Sequence, residues 1–507
     1  MDQGRIRCKE LLSKIVSADE AASLIKDGML VGASGFTACG YPKSVPLALA
    51  AQAQAGRKVE IELLTGASVG PELDEALVKA QIIKKRAPYQ STAAMRKAIN
   101  SGKVDYFDQH LSHMAQMVRY GHYGKMSVAL VEAVAITEDG WIVPTTSGGN
   151  TATFVQEAEF VIVEVNTSQP AELEGMHDIY IPADPPLRRE IPIYSAGDRI
   201  GTTAIPCTPE KIRAVVLTDM PDRVNPLKEV DETNRIIADH FLGFLREEIR
   251  EGRLPKPLPA LQTGVGNVGN ALLSGLLHSE FTDISVFTEV VQDSLFDLID
   301  ADKIRIISGT SLSPSPEGMI RFIKNIDRYQ HKIILRPTEI SNSPELVRRL
   351  GLVSINTALE VDIYGNVNST HIMGTKLMNG LGGSGDYTRN GYISIFLTPS
   401  LAKNGDISCI VPMVSHVDHT EHDVSIIITE QGIADLRNKS PKERALEIIY
   451  NCAHPFYRPL LLDYFDKAVQ RTGKAQTPHN LTECFSFQNR YIQTGSMRME
   501  MPALQKI

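Results

Sequence analysis

Short apolar runs rich in β-branched residues recur along this 507-residue chain, and they limit its fold more than any other feature. In the first half they are Ile61–Gly66 (IELLTG), Met126–Ile136 (MSVALVEAVAI), Glu159–Asn166 (EFVIVEVN) and Ile212–Asp219 (IRAVVLTD). The second half repeats the pattern at Leu258–Gly264, Ile284–Val291, Lys303–Thr310, Lys332–Ile340, Leu352–Ile363, Tyr392–Pro399, Ile407–Val414 and Val424–Gly432. Runs that are apolar on both faces, and separated by helical stretches or Gly turns, suit parallel sheets covered on both sides. The expected fold class is α/β, as two related open domains with mainly parallel sheets. A chain this long exceeds the size at which a single core stops growing, about 250–300 residues. The break falls at residues 220–258, where MPDRVNPLKEV and the Pro-rich GRLPKPLPA flank a helix over Asp231–Glu251. This divides the chain into a first domain at 1–225, a connection at 226–258 and a second domain at 259–507.

Leu130–Asn150 and Leu359–Gly374 form a weak repeat, each with an acidic residue, a short strand, a Gly turn and a Ser/Thr-containing return. A strand ending in glutamate follows each, at Glu164 and Glu430, with different spacings. Both an ancestral duplication and a shared use of the same turn chemistry are consistent with this.

Composition narrows the function classes. Net charge is −8 and no basic run tracks a phosphate backbone, which argues against nucleic acid. No apolar stretch approaches the ~20 residues of a membrane helix, and MDQGRIRCKE lacks a signal-peptide core, so a cytoplasmic protein is expected. Cys8, Cys39, Cys207, Cys409, Cys452 and Cys484 lie far apart without CxxC, as reduced thiols would.

Gly264-Val265-Gly266-Asn267-Val268-Gly269 matches G-x-G-x-x-G between a strand and a helix, and Glu289 follows at the end of the next strand. This is the full dinucleotide fingerprint, and it admits an NAD-dependent dehydrogenase. Its physics is more general, because such a loop offers backbone N–H groups to any anion, the pyrophosphate of coenzyme A included. A purely structural turn also fits. A second glycine cluster, Asn379 to Asp386 (NGLGGSGD), either lets a ligand approach the backbone or forms a surface loop. His416, Asp418, His419, Glu421, His422 and Asp423 invite a metal reading. Their spacing is not the helical i, i+4 of a metal-binding pair, so loop packing and solvent exposure are expected and no metal site is assigned.

Taken together, GVGNVGN, TEVVQDS, EISNSPELVRRLG, ALEVDIYGNVNSTH, MNGLGGSGDY, IVPMVSHVDHTEHD, TEQGIADLR and CAHP resemble the family I coenzyme A transferases, in their acetyl-CoA hydrolase/transferase branch. The resemblance extends from RIRCKELLSKIVSADEAA to HNLTECFSFQNRYIQTGSM. It implies a nucleophilic Glu289 that forms an acyl-glutamyl anhydride and then a glutamyl-CoA thioester, with ping-pong kinetics. Succinyl-CoA and acetate are the implied pair, and acyl-CoA hydrolysis by the same residue is the alternative. The resemblance further implies oxyanion donors at Val265 and Gly383, and residues around the nucleophile at Asn342 and Glu430. Coenzyme A contacts are implied at Gly264, Val265, Gly266, Asn267, Val268, Asn379, Gly383 and Lys403, and carboxylate contacts at Ser68, Ser91 and Arg223. Ser91 stands where many relatives have threonine. No cofactor beyond coenzyme A as substrate and no metal is expected, and the partners are acyl-CoA, small acids and a second copy of the chain.

Overall fold

The computed structural model describes residues 4–499 except 225–228, 265 and 474. Its first half is built on β1 (Leu30–Ala33), β2 (Ile61–Thr65), β3 (Ile83–Ala87), β4 (Asp105–Tyr106), β5 (Val128–Ile136), β6 (Ile142–Pro144), β7 (Phe160–Asn166) and β8 (Ile212–Thr218). The order across the sheet is β4-β3-β2-β1-β5-β7-β8, with all neighbours parallel and β6 folded antiparallel onto β5. Every residue of β5 and β7 is buried, as their unbroken apolar sequences require. Helix α1 (Ser44–Gln54) covers one face, where Val45 and Leu49 join Val128, Leu130 and Ile162. Helix α2 (Leu111–Arg119) covers the other, where Met114 and Val118 join Ala129, Val131 and Val163.

The second half comprises β9 (Leu261–Thr263), β10 (Ile284–Phe287), β11 (Ile304–Gly309), β12 (Ile333–Leu335), β13 (Val353–Thr357), β14 (Ile393–Leu397), β15 (Ile426–Thr429) and β16 (Gly432–Asp435). Its order is β12-β11-β10-β9-β13-β14-β15-β16, parallel except for the antiparallel β16 at the edge. Up to that edge strand, both sheets run through their chain segments in the same order. In each, the fifth segment also leads into an antiparallel hairpin, Ala133–Pro144 in one half and Glu360–Asn368 in the other. This shared topology favours duplication over reused turns, but the paired glutamates are not equivalent. Glu164 lies within the sixth strand of the order and Glu430 follows the seventh. Two apolar runs are also shorter as strands than their sequences suggest. Lys332–Ile340 ends as a strand at Leu335 and turns into a short helix at Thr338–Ser341, and Ile407–Val414 supplies two-residue strands outside the main sheet.

Helix α3 (Glu232–Arg250) starts at Asp231, whose side chain accepts the Asn234 N–H. Its Phe241 and Leu245 pack with Leu272 and Leu276 of α4 (Asn267–His278), so this part of the connecting segment belongs to the second core. That core also takes in Val134, Val143, Leu173 and Met176 from the first half. The halves are joined by backbone as well. Gly148 N–H donates to Thr310 O at 2.8 Å, Leu312 N–H to Thr146 O at 2.7 Å, and Leu335 N–H to Met176 O at 3.0 Å. A β-carbon on Gly148 would overlap the Arg336 carbonyl, so only glycine allows this approach. In each sheet the direction in which successive strands are added reverses beside the first strand, between β1 and β5 and between β9 and β13. In open parallel sheets, ligand clefts form outside the carboxyl ends of the strands at such reversals.

Candidate active site

Glu289 stands at that position. It follows β10 directly, in a two-residue link before the short strand Val290–Val291. The link is held from several sides. Thr288 N–H donates to Ser308 O at 2.9 Å, Thr288 Oγ1 to Thr263 O at 3.0 Å, and Glu289 O accepts N–H groups from Thr310 (2.8 Å) and Ser311 (2.9 Å). The side chain is thereby aimed into a cavity of about 220 Å³. Loops following the first strands of both sheets line this cavity, with Phe36 and Thr37 from one half and Gly264 from the other. Asn356 to Leu359, at the end of β13, and Asn379 to Ser384 complete it.

Asn342 caps the C-terminus of α5 (Thr338–Ser341) and donates Nδ2–H to Glu289 Oε1 at 2.7 Å. Beside the same oxygen lies Gly383, immediately before α6 (Ser384–Thr388). A β-carbon there would overlap Glu289 Oε1 and Asn342 Nδ2, so the glycine lets its backbone reach the carboxylate. Burial pushes the Glu289 carboxyl up to about 7; the Asn342 hydrogen bond lowers it and the Asp386 charge raises it further. The site therefore offers a basic carboxylate with one oxygen fixed, in a cleft walled by two glycine loops.

The residues expected at the site divide into groups. Gly264, Asn379, Gly383 and Glu289 share the cavity, and Asn342 touches Glu289. Gly266, at φ 103°, begins α4; Asn267 is exposed, and Val268 leans on the core. Gly269 has the role its motif predicts, since a β-carbon there would overlap the Gly264 carbonyl. Val265 lies outside the described residues. Lys403 sits exposed on a short turn, and its side chain has no hydrogen-bond partner among the described residues.

Ser91 and Arg223 do not line the cavity of Glu289. They line an adjoining one of about 990 Å³, between the halves, together with Glu72, Glu75 and Asp222. Arg223 Nε donates to Glu72 Oε1 at 2.9 Å, which holds its guanidinium on a protein carboxylate. Ser68 is fully buried, and its hydroxyl has no hydrogen-bond partner among the described residues. Glu430 does not contact Glu289. It accepts from Ser400 N at 2.8 Å and Gln431 Nε2 at 3.0 Å, and so ties the loop after β14 to its own. In the histidine run, buried His419 pairs its Nε2 with Ser384 Oγ at 3.0 Å, His416 stacks on His371 at 3.8 Å, and His422 is exposed.

Two further residues reach the nucleophile's surroundings without having been singled out from the sequence. Asp386 accepts Asn342 Nδ2–H at 3.2 Å, and Ser112 of α2 donates to Asp386 from both Oγ and N. Asp386 ends the quoted glycine cluster, so a search for acids near glycine loops would have flagged it. Ser112 carries no motif.

Comparison with known proteins identifies the family. Residues 1–217 match the acetyl-CoA hydrolase/transferase N-terminal domain, and residues 318–465 match the corresponding C-terminal domain. A succinyl-CoA:acetate CoA-transferase of Clostridium kluyveri is 55% identical over 495 residues, covering 97% of this chain and 92% of that protein. An acetyl-CoA hydrolase of Schizosaccharomyces pombe is 44% identical, covering 98% of each. The crystal structure of RipA from Yersinia pestis has the same fold, with a TM-score of 0.72 at 22% identity over 91% of this chain and 98% of that one. On its sequence over both matched domains, the chain belongs to the acetyl-CoA hydrolase/transferase family.

Proposed function

We propose that the chain is an acyl-CoA:carboxylate CoA-transferase that moves coenzyme A between succinate and acetate through covalent intermediates on Glu289. The observation that carries this reading is the Glu289 carboxylate itself, raised toward neutrality and pressed against the Gly383 backbone in a cleft between two glycine loops. An oxygen of Glu289 attacks the thioester carbonyl carbon, the C–S bond breaks, and the CoA thiolate leaves a mixed anhydride. The thiolate then attacks the glutamyl carbonyl, the anhydride C–O bond breaks, and the first acid departs as its carboxylate. The incoming carboxylate attacks the resulting glutamyl-CoA thioester and expels the thiolate. Attack of the thiolate on the new acyl carbonyl returns Glu289 as a free carboxylate. Atoms and electrons balance without a redox group, and coenzyme A as substrate is the one carrier needed.

Each attack passes through a tetrahedral oxyanion. The N–H of Gly383, which has no acceptor among the described residues, is one proposed donor, and the N–H of Val265 is the other. Asn342 orients the nucleophile, and Glu430 braces the loop beside it. Coenzyme A is proposed to run along Gly264, Gly266, Asn267 and Val268 and past Asn379, with Lys403 on a phosphate. Ser68, Ser91 and Arg223 are proposed to take the acid's carboxylate, Ser91 and Arg223 from the adjoining cavity, with Arg223 released from Glu72. Hydrolysis at the same Glu289 is the second reading, favoured by the name of the S. pombe relative. The two separate on acceptor dependence. For a transferase, added acetate speeds succinate release from succinyl-CoA and acetyl-CoA appears in step; release indifferent to acetate rejects it. A cytoplasmic homodimer is the proposed setting, to be tested by sedimentation for a mass twice the 55.7 kDa of the chain.

A further inference from the structure

The amide of Asn342 stands between two carboxylates. Its Nδ2 donates to Glu289 Oε1 at 2.7 Å and to Asp386 Oδ2 at 3.2 Å, while its Oδ1 accepts the Ser341 hydroxyl at 2.8 Å. Turned over, the amide would set its oxygen against both acids and lose the two bonds to them, whereas the Ser341 hydroxyl can serve either end. Asp386 therefore determines which end of Asn342 faces Glu289. Asp386 is fixed in turn from the other half of the molecule, by Ser112 Oγ on its Oδ1 at 2.6 Å and Ser112 N–H on its Oδ2 at 3.0 Å. The helix carrying Ser112 is locked by a two-pronged bond from Arg119 to Glu339, at 2.7 and 2.9 Å, three residues before Asn342. Asn342, Asp386 and Ser112 are all buried.

A second acid buried here is costly. Burial lifts the Asp386 carboxyl to about 6, and its charge opposes ionisation of Glu289. A neutral amide of the same shape would avoid that cost and could still accept the Asn342 N–H, but a charged acceptor holds it about twice as strongly. We propose that Asp386, clamped by Ser112 across the interface between the halves, is the positioning residue that fixes the Asn342 amide on the nucleophile. The nucleophile is then set only when the two halves are docked. This inference rests on the CoA-transferase reading above. Besides each other, the titratable groups facing the two acids are His113 on α2, Tyr89 from the first half and Tyr387 on α6.

The test uses the full chain with Asp386→Asn, Ser112→Ala and Asn342→Ala, following formation of the covalent CoA adduct from acyl-CoA in single turnovers across pH. Asp386→Asn slows adduct formation by about tenfold, because its amide oxygen still accepts the Asn342 N–H but without the charge, with the acyl-CoA KM little changed. Asn342→Ala moves the acid limb to higher pH, because Glu289 loses the bond that favours its charged form, and Asp386→Asn moves it up less, because the lost like charge opposes the loosened Asn342 bond. The Asp386→Asn/Asn342→Ala double variant is no slower than Asn342→Ala alone. Ser112→Ala, which keeps the backbone bond, slows the reaction by about tenfold, and Ser112→Thr restores it. Ser112→Ala carries the test if Asp386→Asn does not fold. A wild-type rate and limb in the folded variants, or additive losses in the double variant, overturns the inference alone. Absence of any Glu289 adduct in the wild type overturns the transferase reading and this inference with it.

Discussion

Replacing Glu289 with glutamine keeps the shape of the side chain and its acceptor for Asn342 while removing the charge, so it separates the cost of the nucleophile from its use. Burial moves this carboxyl from an ordinary 4.5 to about 7, which makes ionisation in the fold harder by roughly 3 kcal/mol than in the unfolded chain. The sign follows from proton binding. Between 4.5 and 7 the folded chain holds a proton at Glu289 that the unfolded chain has lost, so this group's contribution to stability falls as pH rises through that window. Above 7 the folded protein carries the full cost. Glu289→Gln is therefore predicted to be more stable than wild type at pH 8, by at most about 3 kcal/mol, and by under about 1 kcal/mol at pH 5. Paired urea transitions at the two pH values measure this, and acyl transfer by the variant should be nearly abolished. An equal shift at both pH values, or none at pH 8, would refute the claim that the site holds a destabilised carboxylate.

Three other outcomes follow from the same geometry. The kcat/KM of the wild type for acyl-CoA declines as pH drops through about 7, since attack requires ionised Glu289, and a profile flat down to pH 5 contradicts this. Gly383→Ala drives a methyl group into Glu289 Oε1 and Asn342 Nδ2; adduct formation drops by at least about 100-fold, in a protein whose circular dichroism matches wild type. Asp178→Ala leaves buried Arg336 without its carboxylate at the junction of the halves, and chemical denaturation should report a loss of about 3–5 kcal/mol.

The fold was legible where burial dictates sequence. β5 and β7 are covered on both faces, so their runs hold nothing polar except Glu132, Glu164 and Asn166 and stand out in one dimension. The glycine loops were legible for a related reason. Gly269 and Gly383 each sit where a β-carbon would overlap another group, and that demand leaves a glycine in the sequence. What stayed hidden depends on contacts between distant segments. Ser112 meets Asp386 across 274 positions, and nothing in HLSHM announces it. Arg223 was expected on the substrate acid's carboxylate, and a sequence does not reveal that Glu72 already holds it. Glu430 sits at a strand end as its sequence suggested, but Ser400 and Gln431 keep it on its own loop.

The central claim is that Glu289 becomes covalently bound to coenzyme A. Incubating the full chain with succinyl-CoA and no acceptor, then measuring intact mass and mapping the modified peptide, tests it most directly. The account predicts a CoA adduct on Glu289 that disappears when acetate is added and never forms in Glu289→Gln. An adduct that persists in that variant, or none from any acyl donor in an active wild-type enzyme, would contradict it.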